Sequence, residues 1–386
     1  MSTKISQSRM KAALSRFFRD PVALIGTAGI VFLLFPALYA PFIATGKPWL
    51  FTGRTGEVFS PFWRAFFAPE SSEVLVDKFF NFLALYLPLS LLVIFLCRTR
   101  KILRKILLVL PALALLAAFI FTEPVMDKND YRRAGCRITA LIPYGPDEIV
   151  STPYAAPGNG HLLGCDDVGR DLAARLIYGA RVSLAVGILS TLLAVVIGLF
   201  VGMSAGFFRG RFDLLLMRLV EIMLCFPTFL LLLILMSLLG DYKIAESIPL
   251  VILVIGLTGW INLAFLVRGE TLKESSLPYI KSCIVAGVPW WKILFKHLLP
   301  NISAPVLISF TFGIAGAIIG ESGLSFLGFG VQPPTASWGN LLRQAFDDPL
   351  EYWHLTFFPG AALFIAVMSF NFTGEALRRV FDVRGN

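Results

Sequence analysis

Histidine, cysteine and serine motifs carry much of enzyme chemistry, and this sequence has few of them. Its three histidines, His161, His297 and His354, do not form the H-E-x-x-H pattern of a zinc protease. Its one G-x-S-x-G match, at 202–206, lies inside an apolar run rather than on the strand-to-helix turn of a nucleophile elbow, and the G-x-x-x-x-G-K-[ST] loop for nucleotide phosphates is missing. We therefore predict a protein that is not an enzyme and that binds no metal or cofactor itself.

One charged pair, Arg218 and Glu221, lies inside an apolar stretch, three residues apart and so on one helix face. Ionisable residues inside a membrane are costly, and they suggest a role in a transport pathway. The alternative is that Arg218 extends to the membrane interface. A proton-coupled stand-alone carrier is the second hypothesis. It ranks lower because a proton relay needs more buried charge than this chain offers.

The segments that would position these residues are strongly apolar. The chain has 386 residues, of which 56% are hydrophobic and 15% charged, with a mean hydropathy of +0.75. Soluble proteins have about 25% charged residues, and a membrane span needs about 20 apolar residues. The sequence thus predicts an all-α membrane protein with eight spans, at residues 22–43, 79–97, 106–121, 182–206, 214–239, 248–267, 304–320 and 355–372.

Charge patterning predicts the orientation of these spans in the lipid bilayer. Lys and Arg are more frequent in the joints that lie inside when the N-terminal tail, residues 1–21, is cytoplasmic, so both termini are expected in the cytoplasm. Five positive charges in the joint 98–105 indicate that residues 79–121 form a helical hairpin. The net charge of +9 is scattered between apolar runs, and we expect no nucleic-acid binding.

Two cysteines fall in the segments expected outside, Cys136 and Cys165. A disulfide can persist on that side of the membrane. The five cysteines of the chain show neither C-x-x-C nor zinc-ligand spacing. Two alternatives remain for the outer pair: a disulfide bridge, or two free thiols.

Glycines recur every fourth residue in the fourth span, at Gly198, Gly202 and Gly206. This small-xxx-small pattern lets another helix approach closely. We interpret the three glycines as a helix-packing face.

The joint 268–301 is the longest one expected inside. Its sequence predicts a short helix at 271–276, a break at Pro278-Tyr279, a second helix at about 280–288, and an amphipathic stretch at 290–297 that Leu299-Pro300-Asn301 closes. Trp290 and Trp291 suit the membrane interface. Such a joint is suited to receive a partner; the alternative is a purely structural interfacial helix.

The residues of this joint resemble a known loop. The stretch YIKSCIVAG, followed by Leu299-Pro300-Asn301, is similar to the cytoplasmic loop by which permease subunits of binding-protein-dependent ABC importers dock into their ATPases. The family's loop usually begins with Glu-Ala-Ala, where this chain has Lys-Ser-Cys. The resemblance implies an ATPase-coupling loop that comprises Tyr279, Lys281, Ser282, Cys283, Gly287, Leu299, Pro300 and Asn301.

Three other stretches narrow the resemblance to the second, C-type permease subunit of the dipeptide/oligopeptide/nickel group. They are FRDPVALIG at 18–26, HLLGCDDVGRD at 161–171 and ESGLSFLGFGVQPP at 321–334. The resemblance implies the transmembrane domain of a type I ABC importer with six core helices. It also implies a homologous second permease, two ATPase subunits that bind ATP and Mg²⁺, an extracytoplasmic substrate-binding protein, and a location in the bacterial inner membrane.

The chain departs from that family by an insertion between the first span, 22–43, and the permease core, 161–386. The inserted region, 44–160, includes the hairpin 79–121, which we expect to pack at the periphery of the bundle. The implied cargo is a di- or oligopeptide, with nickel or a nickel chelate as the alternative.

A polar motif opens the core on the outer side. Its residue types suit a capped turn before a short helix at 171–180, and we favour this structural role over direct contact with substrate. The motif residues are His161, Gly164, Asp166, Gly169, Arg170 and Asp171.

Overall fold

The structure, a computed structural model, describes residues 15–52, 58–69, 71, 73–97, 101–122, 136–158, 160–240 and 248–381. The described residues fall into two compact units. Unit 1 takes its residues from Met1–Val31, Leu184–Val331 and Ala362–Asn386, and unit 2 from Phe32–Ser183 and Gln332–Ala361.

Helices dominate both units. In chain order they are α1 (Pro21–Leu38), α2 (Ala40–Ile43), α3 (Pro61–Phe67), α4 (Val74–Leu96), α5 (Lys101–Phe121), α6 (Leu172–Phe208), α7 (Gly210–Leu224), α8 (Thr228–Gly240), α9 (Ile248–Ser275), α10 (Pro278–Val285), α11 (Trp290–Lys292), a π-helix (Ile293–Leu298), α12 (Leu299–Phe326), α13 (Trp338–Arg343) and α14 (Trp353–Phe381). Within the described residues, seven helices are long and apolar enough to cross a membrane, or eight if the bent pair α7 and α8 forms one span. This confirms the predicted all-α membrane fold.

The fifth predicted span, 214–239, is not continuous. α7 ends at Leu224, α8 begins at Thr228, and the two helices are bent by 83°. Pro227 has no backbone N–H, and its ring disfavours a helical conformation at Phe226. The prediction of one unbroken helix is therefore wrong at this proline.

The predicted short helix at 171–180 is also wrong as a separate element. α6 runs without interruption from Leu172 to Phe208 and so joins that segment to the fourth span. Arg181 suggests a polar end of the span, but it is buried and its guanidinium donates to Ala37, Asp77 and Asn81, so the helix can continue through it.

Unit 2 contains the small sheet and most of the inserted region. Its three antiparallel strands are β1 (Leu50–Thr52), β2 (Val58–Phe59) and β3 (Cys136–Ile138), in the order β2-β1-β3. Beside the sheet, α3 packs its aromatic side chains against the hairpin helices α4 and α5 through Phe66, Phe82 and Phe119. Aromatic side chains bury large areas, and this cluster attaches the hairpin to the rest of the unit.

Unit 1 is centred on the packing of α9 against α12. One apolar cluster of the unit includes Val267 on α9, Ile280 on α10, Leu298 on the π-helix and Ile302 on α12, all fully buried. This cluster holds the predicted docking segment, the joint 268–301.

Candidate partner-docking helix and outer charge cluster

The joint 268–301 contains one short helix, α10, separate from the spans. It begins at Pro278, whose fixed φ suits the first helical position. The preceding Leu277 is extended, with φ −70° and ψ 147°, as residues before proline prefer. The predicted break at this proline is therefore the start of the helix, whereas residues 271–275 continue α9.

α10 ends in a glycine-dependent cap. Gly287 has φ +71°, a left-handed conformation that favours glycine. The Gly287 amide donates to the Ile284 carbonyl at 3.0 Å, and the Val288 amide donates to the Cys283 carbonyl at 3.0 Å. These two hydrogen bonds form a Schellman motif. The role of Gly287 is thus to turn the chain sharply away from the helix.

The two faces of α10 differ in burial. Ile280 is completely buried in the apolar cluster of unit 1. Lys281, Ser282 and Ile284 are exposed, and Val285 is 88% exposed. The helix is therefore anchored on one side and presents a mixed polar and apolar surface on the other.

A chain of hydrogen bonds ties α10 to both neighbouring spans. The Tyr279 hydroxyl donates to Glu274 at the end of α9 at 2.9 Å, and the Asn301 amide donates to the same hydroxyl at 2.6 Å. Burial and the bond to Glu274 raise the pKa of Tyr279, so this hydroxyl keeps its proton at neutral pH. Tyr279 and Asn301, both predicted site residues, are brought together in this way.

The end of the joint differs from the prediction. Residues 290–326 form one helical stretch, with a π-helical segment at Ile293–Leu298, and Leu299-Pro300-Asn301 does not interrupt it. Pro300 lacks the N–H that would bond one turn earlier, and the wider π turn directly precedes it. Leu299 packs on the apolar cluster, whereas Pro300 is exposed. The expected separate interfacial helix is therefore the first part of a span.

The outer motif folds around Asp166, which is completely buried in unit 2. Its carboxylate accepts hydrogen bonds from the amides of Val168 and Arg170 and from the Arg170 guanidinium, at 2.6 Å. Gly169 follows with φ +92°, and a Cβ there would lie 2.2 Å from the Ser151 carbonyl oxygen. The turn therefore requires glycine at this position.

His161 and Asp171 form a second buried pair, with 2.8 Å between Nδ1 and the carboxylate. The other Asp171 oxygen accepts from the Ala174 amide and so caps α6. Gly164 has φ +87°, and a Cβ there would lie 2.6 Å from the Ala155 carbonyl oxygen. Since the motif's polar groups bond to one another and to the backbone, this geometry supports a structural role.

Arg175 extends this cluster and is not among the predicted site residues. It lies one turn after Asp171, is completely buried, and places Nε 3.0 Å from Asp166. Its guanidinium also donates to the carbonyls of Pro146 and Pro334, at 3.1 Å each. One arginine thus joins three separate segments of unit 2.

A second buried arginine, Arg181, was also missed. It donates to Asp77 at 2.6 Å, to Asn81 at 2.8 Å and to the Ala37 carbonyl at 2.6 Å. Asp77 and Asn81 belong to α4, the first helix of the inserted hairpin. An acidic residue near the start of an apolar run was the only signal available, because a single sequence does not reveal its partner.

These contacts correct the expected position of the hairpin in part. The first turns of α4 are bonded to Arg181 of α6, so α4 is integral to unit 2. By contrast, only 6% of the apolar stretch of α5 is buried within the chain. Such exposure is expected of a helix that faces lipid. In the basic joint between them, Arg98 and Arg100 lie outside the described residues.

The glycine face of α6 lies against α9. A Cβ on Gly198 would approach Leu263 to 2.9 Å, one on Gly202 would approach the Ala264 carbonyl oxygen to 2.6 Å, and one on Gly206 would approach Thr271 to 2.8 Å. These positions leave no room for a side chain. The structure thus places the three glycines at a close helix contact, as the small-xxx-small pattern predicts.

Two further predicted groups have simple surroundings. Cys165 is a buried free thiol, which is the second of the two alternatives for this cysteine, and burial raises its pKa. The Cys136 side chain lies outside the described residues. Arg218 and Glu221 pair at 2.6 Å, but their side chains are 67% and 49% exposed within this chain.

Across the residues that the structure describes, no three side chains of His, Cys, Asp and Glu are grouped so that they could hold a metal ion.

Comparison with known families identifies the architecture built around α10. Residues 173–384 match the family described as binding-protein-dependent transport system inner membrane component. Residues 8–52 match the N-terminal transmembrane domain of oligopeptide transport permease C. This chain belongs to the binding-protein-dependent permease family. It is a multi-pass inner-membrane protein, and the resemblance drawn from its motifs is confirmed.

This chain aligns with most of the length of its curated relatives. It is 38% identical over 223 residues to the oligopeptide transport system permease protein of Haemophilus influenzae, which is 58% of this chain and 70% of the relative. It is 36% identical to the glutathione transport system permease protein of Pectobacterium atrosepticum, over 63% and 79% of the two chains. A di/tripeptide permease of Pseudomonas aeruginosa is 34% identical over 63% and 80%.

Proposed function

We propose that this chain is one of two permease subunits in an ATP-driven importer of di- or oligopeptides. Family membership and the names of its relatives, which transport oligopeptides, di/tripeptides and glutathione, support this cargo class. Nickel appears in none of the relatives' names given above, so the nickel alternative is not favoured. A stand-alone carrier is also not favoured, because the family is binding-protein-dependent.

The assembly we propose has four kinds of subunit. A homologous permease supplies the other half of the pathway, two ATPases bind ATP and Mg²⁺, and an extracytoplasmic binding protein delivers the peptide. The excess of Lys and Arg in the inner joints supports cytoplasmic termini. Hydrolysis then takes place in the partner ATPases and not in this chain.

The geometry of α10 is the observation that carries the coupling role. The exposed face formed by Lys281, Ser282 and Val285 is suited to a groove on an ATPase. Movement of that groove would pull on α9 through Glu274 and on α12 through Asn301, since Tyr279 contacts both. A rigid helix bonded to two spans converts closure of the ATPases into rotation of those spans.

The test is co-purification of the tagged chain with its partners in mild detergent. Val285→Glu places a charge at the centre of the proposed contact, and Leu350→Glu is the matched control, because both side chains are 88% exposed. We expect Val285→Glu to weaken ATPase retention about tenfold or more, as loss of an interface hot spot does, and Leu350→Glu to retain it.

Two results would contradict the proposal. One is equal ATPase retention by Val285→Glu and the wild type. The other is a wild-type chain that purifies alone and moves peptide into proteoliposomes without ATP, which would restore the carrier hypothesis.

A further inference from the structure

A groove lies where α6 and α9 end and α10 begins, entirely within unit 1. Its volume is about 570 Å³. Apolar side chains form most of its wall, including Phe207, Trp290 and Ile293, and polar groups lie along it at Arg209, Ser275 and Lys281. The lining is therefore amphipathic.

The charge of the groove is wholly positive. Its lining includes Arg209 and Lys281 but no acidic residue. The Arg209 guanidinium donates to neutral oxygens, the Ser275 hydroxyl at 2.9 Å and the Leu272 carbonyl at 3.4 Å. Nearby Arg268, by contrast, pairs with Asp213 at 2.6 Å. Within the described part of the chain, neither cation of the groove has an acidic partner.

The backbone at Arg209 and the ring of Trp290 also suggest that the groove is a binding site. Arg209 has φ +54°, a left-handed conformation that residues other than glycine rarely adopt and that costs free energy. Trp290 is half exposed and packs edge-on against Phe208, with 5.6 Å between ring centroids. Tryptophan favours the level of lipid headgroups, where one end of its ring is apolar and the other meets water.

We propose that this groove binds the headgroup of an acidic phospholipid from the cytoplasmic leaflet. Arg209 and Lys281 neutralise the phosphate, Ser275 lies beside it, and an acyl chain follows Phe207, Trp290 and Ile293. Basic pockets between membrane helices on the cytoplasmic side recognise such headgroups. The apolar wall favours an amphiphile over free phosphate. The assignment rests on the cytoplasmic orientation in the proposed function.

The site also suggests a regulatory role. Lys281 lies on the exposed face of α10, so a lipid bound beside it would change the charge that this helix presents to an ATPase. Anionic lipid content would then modulate the coupling between ATP hydrolysis and transport.

The experiment measures lipid binding to the purified full-length chain by native mass spectrometry. Phosphatidylglycerol and phosphatidylcholine are titrated separately, each with and without inorganic phosphate as competitor. Arg209→Gln removes a groove cation, and Arg211→Gln removes an exposed cation two residues away that does not line the groove. We expect Arg209→Gln to weaken phosphatidylglycerol binding about fivefold and Arg211→Gln to leave it nearly unchanged.

Lys281→Gln provides a second variant if Arg209→Gln folds poorly, and it should show the same loss. Equal binding by wild type, Arg209→Gln and Lys281→Gln would overturn the proposal. So would equal affinity for phosphatidylcholine, or complete displacement by inorganic phosphate. Binding of lipid requires neither transport nor ATPase subunits, so its failure is distinguishable from failure of the proposed importer function.

Discussion

At the scale of single residues, two ion pairs of equal length allow a direct comparison. Arg181–Asp77 and Arg218–Glu221 both measure 2.6 Å, but the first is buried and the second exposed. We expect Asp77→Asn to reduce the free energy of unfolding by about 3–5 kcal/mol, because it leaves a buried guanidinium without its counter-charge. Glu221→Gln should cost less than about 1 kcal/mol. Unfolding in detergent measures both changes in free energy. Similar losses for the two variants would contradict the expectation that the buried ion pair matters more than the exposed one.

Gly287 provides a second prediction at this scale. Nothing lies within 4 Å of a Cβ built there, yet its φ of +71° disfavours any side chain. We expect Gly287→Ala to destabilise the end of α10 by about 1 kcal/mol and to lower peptide-stimulated ATPase activity of the assembled importer. Gly287→Asn should recover part of that activity, since asparagine tolerates this conformation.

The control for this prediction is Gly269→Ala in α9. A Cβ at Gly269 also meets nothing within 4 Å, but the backbone there is helical. Alanine favours a helix, so this variant should be neutral or slightly stabilising. If both alanine variants lower activity alike, the left-handed cap is not the reason.

At the scale of helices, the contact between α6 and α9 predicts a steric effect. Gly202→Ala would place a Cβ 2.6 Å from the Ala264 carbonyl oxygen, which belongs to the backbone and has little room to move. Overpacking of this kind costs about 1–3 kcal/mol. Gly316→Ala on α12 is the control, because a Cβ there meets nothing within 4 Å. Thermal aggregation of the purified chain should begin at a lower temperature for Gly202→Ala than for the wild type, and at an unchanged temperature for Gly316→Ala.

Helices also show what sequence reasoning can and cannot supply. Apolar runs predicted the positions of the spans, because hydrophobic length is a local property, but they did not show the bend within the fifth span. The break before Pro227 has a local cause as well, and attention to that proline alone would have found it. By contrast, Asp77 and Arg181 are 104 residues apart in the chain. No local pattern connects them, so their pairing emerged only from the fold.

In the docking segment, too, features with a local cause could be predicted from the sequence, and contacts between distant residues could not. Pro278 and Gly287 delimit α10 through local backbone preferences, but the sequence predicted only the break at Pro278 and continued the helix past Gly287. The bond between Tyr279 and Asn301 depends on how two helices return to one place, which a single sequence does not specify. The π-helical turn before Pro300 likewise has no simple composition signal.

At the scale of the whole molecule, the hairpin can be tested by removal. Deleting residues 74–121 takes away both α4 and α5, so the orientation of the remaining spans is preserved. We expect this deletion to reduce the yield of folded chain strongly, because Arg181 loses Asp77 and Asn81 together. Adding Arg181→Met should restore much of the yield, measured by size-exclusion chromatography.

A contrary result would be informative as well. If the deletion alone folds normally, the hairpin is peripheral, as first expected from its sequence. If Arg181→Met gives no recovery, the aromatic cluster around Phe66 and Phe119, rather than the ion pair, makes the hairpin indispensable.

The shared arginine has a consequence for the history of this permease. Arg181 bonds to the hairpin and also to the carbonyls of Ala37 and Leu38 at the end of α1. If the deletion behaves as expected, a lineage that discards the insertion in one step loses folded protein, because Arg181 then lacks the partners of its charge. A neutral replacement of Arg181 must come first. This required order of mutations makes loss of the extra helices less probable, independently of any role in transport.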